Sequence, residues 1–257
     1  MRTFVFTCLL LLGMTTFAQD ANFHIYLCLG QSNMEGNAKV EEQDTVAVDS
    51  RFQVLAAVDC PNLGRTKGNW YKAVPPLARC YTGLTPGDYF GRAMVANLPS
   101  NVRVGIINVA VGGCRIELFD KDNYQFYVET SPDWLKNMVK EYGGNPYARL
   151  VEMAKLAQKD GVIKGILLHQ GESNTNDKDW PLKVKGVYDN LLNDLGLSAA
   201  NVPLLAGEVV HADQNGVCAS MNTIIDSLPQ VIPTAHVISS AGCPAAFDNL
   251  HFTAEGY

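Results

Sequence analysis

Short apolar runs separated by stretches of helical spacing dominate the chain. Five of them, Phe23–Leu29, Val102–Val109, Ile163–Leu168, Val202–Ala206 and Ala235–Ser239, lack strict polar alternation, the pattern of strands covered on both faces. Helical patterns precede four of the runs: Asp88–Leu98, Pro146–Lys159, Trp180–Leu195 and Ala219–Leu228. In Pro146–Lys159, Leu150, Met153, Ala154 and Ala157 recur at 3.6-residue spacing; proline stands at the entry and Gly161 lies beyond the end, as helix boundaries require. Strands alternating with helices predict βαβ units, hence a parallel sheet with right-handed crossovers. A further short strand, Gln53–Val58, is expected at the edge beside the first run. Residues 36–87 are irregular, broken by Pro61, Pro75, Pro76 and Pro86. Their Lys67-Gly68-Asn69-Trp70-Tyr71 run reads either as a wall of a ligand cleft or as a loop with its own aromatic packing. No internal repeat, linker or domain boundary interrupts the pattern.

Composition narrows this picture. A chain of 257 residues, 47% hydrophobic and 18% charged, fits one α/β domain of roughly 200–250 residues. The formal net charge of −6 leaves no basic footprint for nucleic acid or an anionic membrane. Residues 1–18 read as a secretory signal: Arg2, an apolar core from Phe4 to Met14, and a small residue, Ala18, at the cut. That core is shorter than the ~20 residues of a comfortable membrane span. The expected domain is therefore 19–257, and the expected location secreted or periplasmic. Six cysteines remain: Cys28, Cys60, Cys80, Cys114, Cys218 and Cys243. Export permits disulfides, with Cys60–Cys80 a reasonable pair across irregular chain. None shows the C-x-x-C spacing of a zinc or redox site.

The chemistry gathers after the strands. The first run ends in Gly30-Gln31-Ser32-Asn33-Met34, the second in Val111-Gly112-Gly113-Cys114-Arg115, and the third in His169-Gln170-Gly171-Glu172-Ser173-Asn174. The fifth leads to Asp248-Asn249-Leu250-His251-Phe252. In an open parallel sheet, ligands bind beyond the carboxyl ends of the strands. Ser32 is placed to be a nucleophile, His251 to take its proton and Asp248 to accept the imidazole Nδ1 hydrogen. The Ser32 N–H, the Gly112-Gly113 pair and the Gln170 amide are candidate donors to an oxyanion. The nucleophile elbow of α/β-hydrolases, the His-Glu-x-x-His zinc motif and phosphate-binding glycine loops are absent.

Gly-Gln-Ser-Asn-Met, the Gly-Gly pair, His-Gln-Gly-Glu-Ser-Asn and Asp-x-Leu-His-Phe together resemble the SGNH/GDSL hydrolase superfamily. More closely, they resemble the carbohydrate acetylesterases of the sialate O-acetylesterase and acetyl xylan esterase type, over residues 23–257. The resemblance implies a three-layer α/β/α sandwich around a five-stranded parallel sheet of the flavodoxin-like kind, with no metal and no organic cofactor. It implies Ser32 as nucleophile, His251 as base, Asp248 as acid, and an oxyanion hole of Ser32, Gly113 and Gln170, with Gly112 as alternative to Gly113. Glu172 is the alternative acid against His251. Arg115 and Asn174 are candidate substrate contacts, although an ion pair of Arg115 with Glu117 or Asp120 is the simpler reading. The implied activity is removal of O-acetyl groups from acetyl xylan or a related glycan through an acyl-enzyme. Sialate O-acetylesterase is the alternative, and a non-catalytic glycan-binding module the rival of another class. The resemblance also implies a helix after His-Phe-Thr-Ala-Glu-Gly-Tyr, so the end at Tyr257 reads as that of a fragment lacking it. The oligomeric state is not legible.

Overall fold

The computed structural model describes residues 19–257, so the expected signal at 1–18 lies outside the described residues. One sheet of seven strands organises the chain. In chain order they are β1 (Asp20–Gly30), β2 (Phe52–Leu55), β3 (Trp70–Lys72), β4 (Arg103–Ala110), β5 (Gly161–His169), β6 (Leu204–Gly207) and β7 (Ala235–Ile238). Their spatial order is β3-β2-β4-β1-β5-β6-β7, all parallel except the β2–β3 pair. The five expected runs form β4-β1-β5-β6-β7, the flavodoxin-like order. The expectation of five strands is corrected to seven, because β2 and β3 extend the sheet past β4. The strand expected at the edge, β2, lies between β3 and β4, with Phe52 opposite Val104, and not beside β1; β3 forms the edge. β4 and β5 already occupy both flanks of β1.

Side-chain alternation along β1 explains the layers. Phe23, Ile25, Leu27 and Leu29 point to one face and join Leu135, Val139, Leu150, Met153, Trp180 and Leu191 in the larger core. Those partners belong to helices Asp133–Glu141, Pro146–Ala157 and Trp180–Leu195. Tyr26 and Cys28 point the other way, into a smaller core with Phe52, Ile106 and Val95. There the main cover is helix Pro86–Asn97, started by a Thr85–Asp88 capping box with proline in its first turn. Beyond that helix the same face holds an apolar groove of about 450 Å³ lined by Phe90, Leu167, Leu205, Ile238 and Tyr257 among others.

The expected helix Ala219–Leu228 is broken into a 3₁₀ turn, Ala219–Met221, and two short helices, Asn222–Ile225 and Leu228–Val231. Pro229, which has no N–H to continue a helix, sits in the first turn of the last piece. Trp70 forms no cleft wall. Its ring packs on Phe23 at 4.7 Å and its Nε1–H donates to Asp160 at 2.9 Å, at the end of the sheet where β1 begins. Cys60 and Cys80 form a disulfide, with Cα atoms 5.2 Å apart, which closes a loop of the irregular region. No helix among the described residues is long and apolar enough to cross a membrane.

Candidate active site

β1 is where the strand order reverses, with β4 on one side and β5 on the other. Such a switch point opens a crevice at the carboxyl ends of the strands. Ser32 stands there, at the start of the one-turn helix Ser32–Glu35. Gly30 makes the turn possible: φ is +152°, and a Cβ there would lie 2.0 Å from the His169 carbonyl oxygen. The Gln31 N–H donates to that same carbonyl at 3.0 Å, which fixes the exit of the chain.

His251 arrives from the far end of the sequence. Its Nε2 is 2.8 Å from Ser32 Oγ, and its Nδ1 is 2.7 Å from Asp248 Oδ2. A carboxylate can only accept, so Nδ1 carries the hydrogen and Nε2 is left to accept from the serine hydroxyl. Asp248 Oδ1 accepts the N–H groups of Leu250 and His251 at 3.0 and 3.1 Å. Partial burial opposes ionisation of this carboxyl, but the imidazole and the two backbone N–H groups outweigh it and hold its pKa below the ordinary value. Phe252 anchors the segment. Its ring is buried, worth about 1.5–3 kcal/mol, and its N–H donates to Asn33 Oδ1 at 3.2 Å.

The expected oxyanion donors divide. Among the described residues neither the Ser32 N–H nor the Gly113 N–H has an acceptor. The Gly112 N–H donates to Glu35 Oε1 at 3.0 Å, so the alternative of Gly112 falls. Gln170 is turned inward: its Nε2 has Asn174 Oδ1, Gln31 Oε1 and the Cys114 carbonyl at 2.8, 3.1 and 3.3 Å, and its Oε1 accepts from Trp180. With two hydrogens facing three acceptors, that amide is a brace rather than a free donor. Glu172, the alternative acid, is not against His251. It accepts from Asn33 Nδ2 at 2.7 Å.

The two expected substrate contacts are also engaged. Asn174 is buried; it accepts from the Ile116 N–H at 2.9 Å and donates to Glu117 and Asp177, each at 3.1 Å. The Arg115 guanidinium lies 3.5 Å from Glu117 and 3.6 Å from Asp177, so its acidic partners are Glu117 and Asp177 rather than Asp120. Among the described residues no group of three or more His, Cys, Asp or Glu side chains is arranged to hold a metal ion.

Two supporting residues were missed in the sequence. Asn33, fully buried, donates to Glu172 and to the Leu250 carbonyl and accepts from the Phe252 N–H and the Tyr257 hydroxyl, tying Ser32 to the His251 segment. Glu35 pairs with Arg79 at 2.6 Å while holding the Gly112 N–H. The signal for Glu35 was that it is the one charged residue between Gly30 and Gly36; nothing marked Asn33 as more than a neighbour of the serine.

The family profile described as carbohydrate esterase, sialic acid-specific acetylesterase matches residues 22–257. The chain belongs to that family. It is accordingly a carboxylic ester hydrolase of the carbohydrate acetylesterase class. Solved structures share the fold at low identity. A protein from Arabidopsis thaliana is 20% identical, with a TM-score of 0.67 over 91% of this chain and 92% of its own. NanS is 15% identical, with a TM-score of 0.62 over 93% and 94%. A carbohydrate acetylesterase from Xanthomonas citri is 18% identical, with a TM-score of 0.60 over 90% of this chain and 52% of its own.

Proposed function

We propose that this enzyme removes O-acetyl groups from carbohydrate through an acyl-enzyme on Ser32. One observation carries the reading: a single imidazole joins the Ser32 hydroxyl at 2.8 Å to the Asp248 carboxylate at 2.7 Å. Ser32 Oγ bonds to the acetyl carbonyl carbon as its proton passes to His251 Nε2. The N–H groups of Ser32 and Gly113 receive the oxyanion. Collapse breaks the bond to the sugar oxygen, which takes the proton from His251. Water, deprotonated by the same nitrogen, then releases acetate and restores the serine.

The preference for acetyl xylan drawn from the resemblance has no residue behind it in this crevice. The family's description names sialic acid, which favours O-acetylated sialic acid as the first substrate to try. Export is part of the reading, supported by the signal-like pattern of residues 1–18 and by the Cys60–Cys80 disulfide, a bond that persists in oxidising compartments.

Acetate release from O-acetylated sialic acid, acetylated xylan and p-nitrophenyl acetate tests the whole. Ser32→Ala is expected to reduce turnover by about 10⁴-fold or more. A variant as fast as wild type on all three would remove Ser32 from the mechanism. Glycan binding with no acetate released by wild type would favour a binding module.

A further inference from the structure

One large aromatic stands half in solvent beside the candidate oxyanion site. Trp134 opens helix Asp133–Glu141 and is 53% exposed, while Leu135 and Val139 of the same helix are buried and fix it to the core. Its six-membered ring lies against Gly113. A Cβ on that glycine would meet Cη2 at 2.7 Å and Cζ3 at 3.3 Å. Gly113 has φ +69° and an N–H with no acceptor among the described residues, and its carbonyl is held by the Ser173 hydroxyl at 3.0 Å. The neighbouring Gly112 is beside the nucleophile: a Cβ there would lie 3.8 Å from that of Ser32. One edge of the indole is thus packed on the turn that offers the free N–H, while about half of the residue stays accessible to solvent.

We infer that Trp134 is the platform on which the sugar ring of the substrate stacks while its acetyl group is attacked at Ser32. This rests on the acetylesterase reading and adds a binding role to it. An ester has two sides, a small acetyl methyl and the alcohol. A methyl group is held by an enclosing pocket, which a half-open indole cannot provide. The C–H-bearing face of a pyranose needs a flat, apolar, accessible surface, and a large aromatic at a cleft supplies one with little conformational freedom to lose. Among the described residues Phe247, Tyr81 and Phe126 are more exposed, but the three atoms nearest to a Cβ at Gly113 all belong to Trp134.

The test separates sugar recognition from chemistry. Initial rates are measured on O-acetylated sialic acid, on acetylated xylo-oligosaccharide, and on ethyl acetate, whose alcohol has no ring. Trp134→Ala is expected to raise KM about tenfold on whichever acetylated sugar the wild type hydrolyses, with kcat within about twofold. On ethyl acetate kcat/KM stays within about twofold, and Trp134→Phe recovers most of the sugar affinity. Trp134→Leu keeps an apolar side chain against Gly113 without a flat face, and serves if the alanine variant folds poorly. An unchanged KM on the sugar overturns the platform. So does an equal loss on sugar and ethyl acetate, which would mean that the ring only positions Gly113. A wild type that cleaves ethyl acetate and no acetylated sugar overturns the carbohydrate reading itself, a different pattern from either.

Discussion

Two histidines in this protein pair with a carboxylate three residues away, and only one of them faces a hydroxyl. In the Asp248–His251 pair the carboxylate is 2.7 Å from Nδ1, so Nε2 carries no hydrogen and meets Ser32 Oγ. The side chains are 15% and 33% exposed for His251 and Asp248, open enough for substrate to reach them. In the His169–Glu172 pair the side chains are almost wholly buried, at 5% and 3%, and Nδ1 is 3.7 Å from the carboxylate. Nε2 of His169 lies 2.9 Å from the Glu208 carbonyl, so that nitrogen must donate. An equal spacing in sequence therefore produces opposite tautomers. A carboxylate on Nδ1 makes a base of the outer nitrogen, whereas a carbonyl on Nε2 uses up the nitrogen that could have served. The buried pair contributes indirectly, because Glu172 holds Asn33, and Asn33 holds both ends of the segment carrying His251.

Breaking each pair at its histidine gives the largest contrast. His251→Gln is expected to lower turnover by about 10⁴-fold or more with the melting temperature near wild type, since nothing else can take the serine proton. His169→Gln keeps an amide donor for the Glu208 carbonyl, so turnover stays within about tenfold and the loss is of stability, about 1–3 kcal/mol. Acetate release and thermal melting on both variants decide it. A His169 variant as inactive as the His251 variant, yet fully folded, would reverse the assignment.

The carboxylates sharpen the same comparison at smaller amplitude. Asp248→Asn leaves the geometry available but removes the acceptor that fixes the Nδ1 hydrogen, and turnover should fall by about 10³–10⁴-fold. Glu172→Gln can still accept from Asn33, so the expected cost is about 1–2 kcal/mol of stability, with turnover reduced less than tenfold. Single-turnover kinetics at matched folded fraction separate them. If Glu172→Gln lost more activity than Asp248→Asn, Glu172 would regain the place of acid.

The same contrast explains what could be read in the sequence. Ser32, Asp248 and His251 were visible because each follows an apolar run at the same edge of a parallel sheet, and the topology alone brings such edges together. Gln170 and Asn174 follow the third run just as closely, and nothing in their spacing says whether a side chain faces the crevice or the layer beneath it. Only the packed structure shows Trp180 and Asn174 claiming the Gln170 amide. The five strands β4, β1, β5, β6 and β7 were legible as continuous apolar runs. β3 was not, being three residues of an irregular region with none buried, where no periodicity can develop. Helix Asp133–Glu141 was legible and was missed: Leu135, Met138, Val139 and Tyr142 recur at helical spacing, and Leu135, Val139 and Tyr142 are buried.

The smallest expected effect concerns carboxylates with and without an imidazole beside them, and it is read in the pH dependence of stability. Asp88 is fully buried, with no histidine beside it. Burial pushes its carboxyl up to about 7 against the hydrogen bond from the Thr85 N–H. Between the ordinary carboxylate range near pH 4 and about 7, the folded protein holds a proton that the unfolded chain releases, so stability falls as pH rises through that window. One proton gives a slope of at most about 1.4 kcal/mol per pH unit. Asp248 is shifted the other way. Its depressed pKa contributes stability that is complete above the ordinary carboxylate range and is lost as pH falls below it. Asp88→Asn keeps an oxygen to cap Thr85 and should flatten the decline between pH 4 and 7. Asp248→Asn should alter the profile only below about pH 4. Melting curves from pH 3 to 8 on the two variants read both windows. Equal slopes for Asp88→Asn and wild type between pH 5 and 7 would show that Asp88 is ionised in the fold, and that burial away from an imidazole is not what distinguishes it from Asp248.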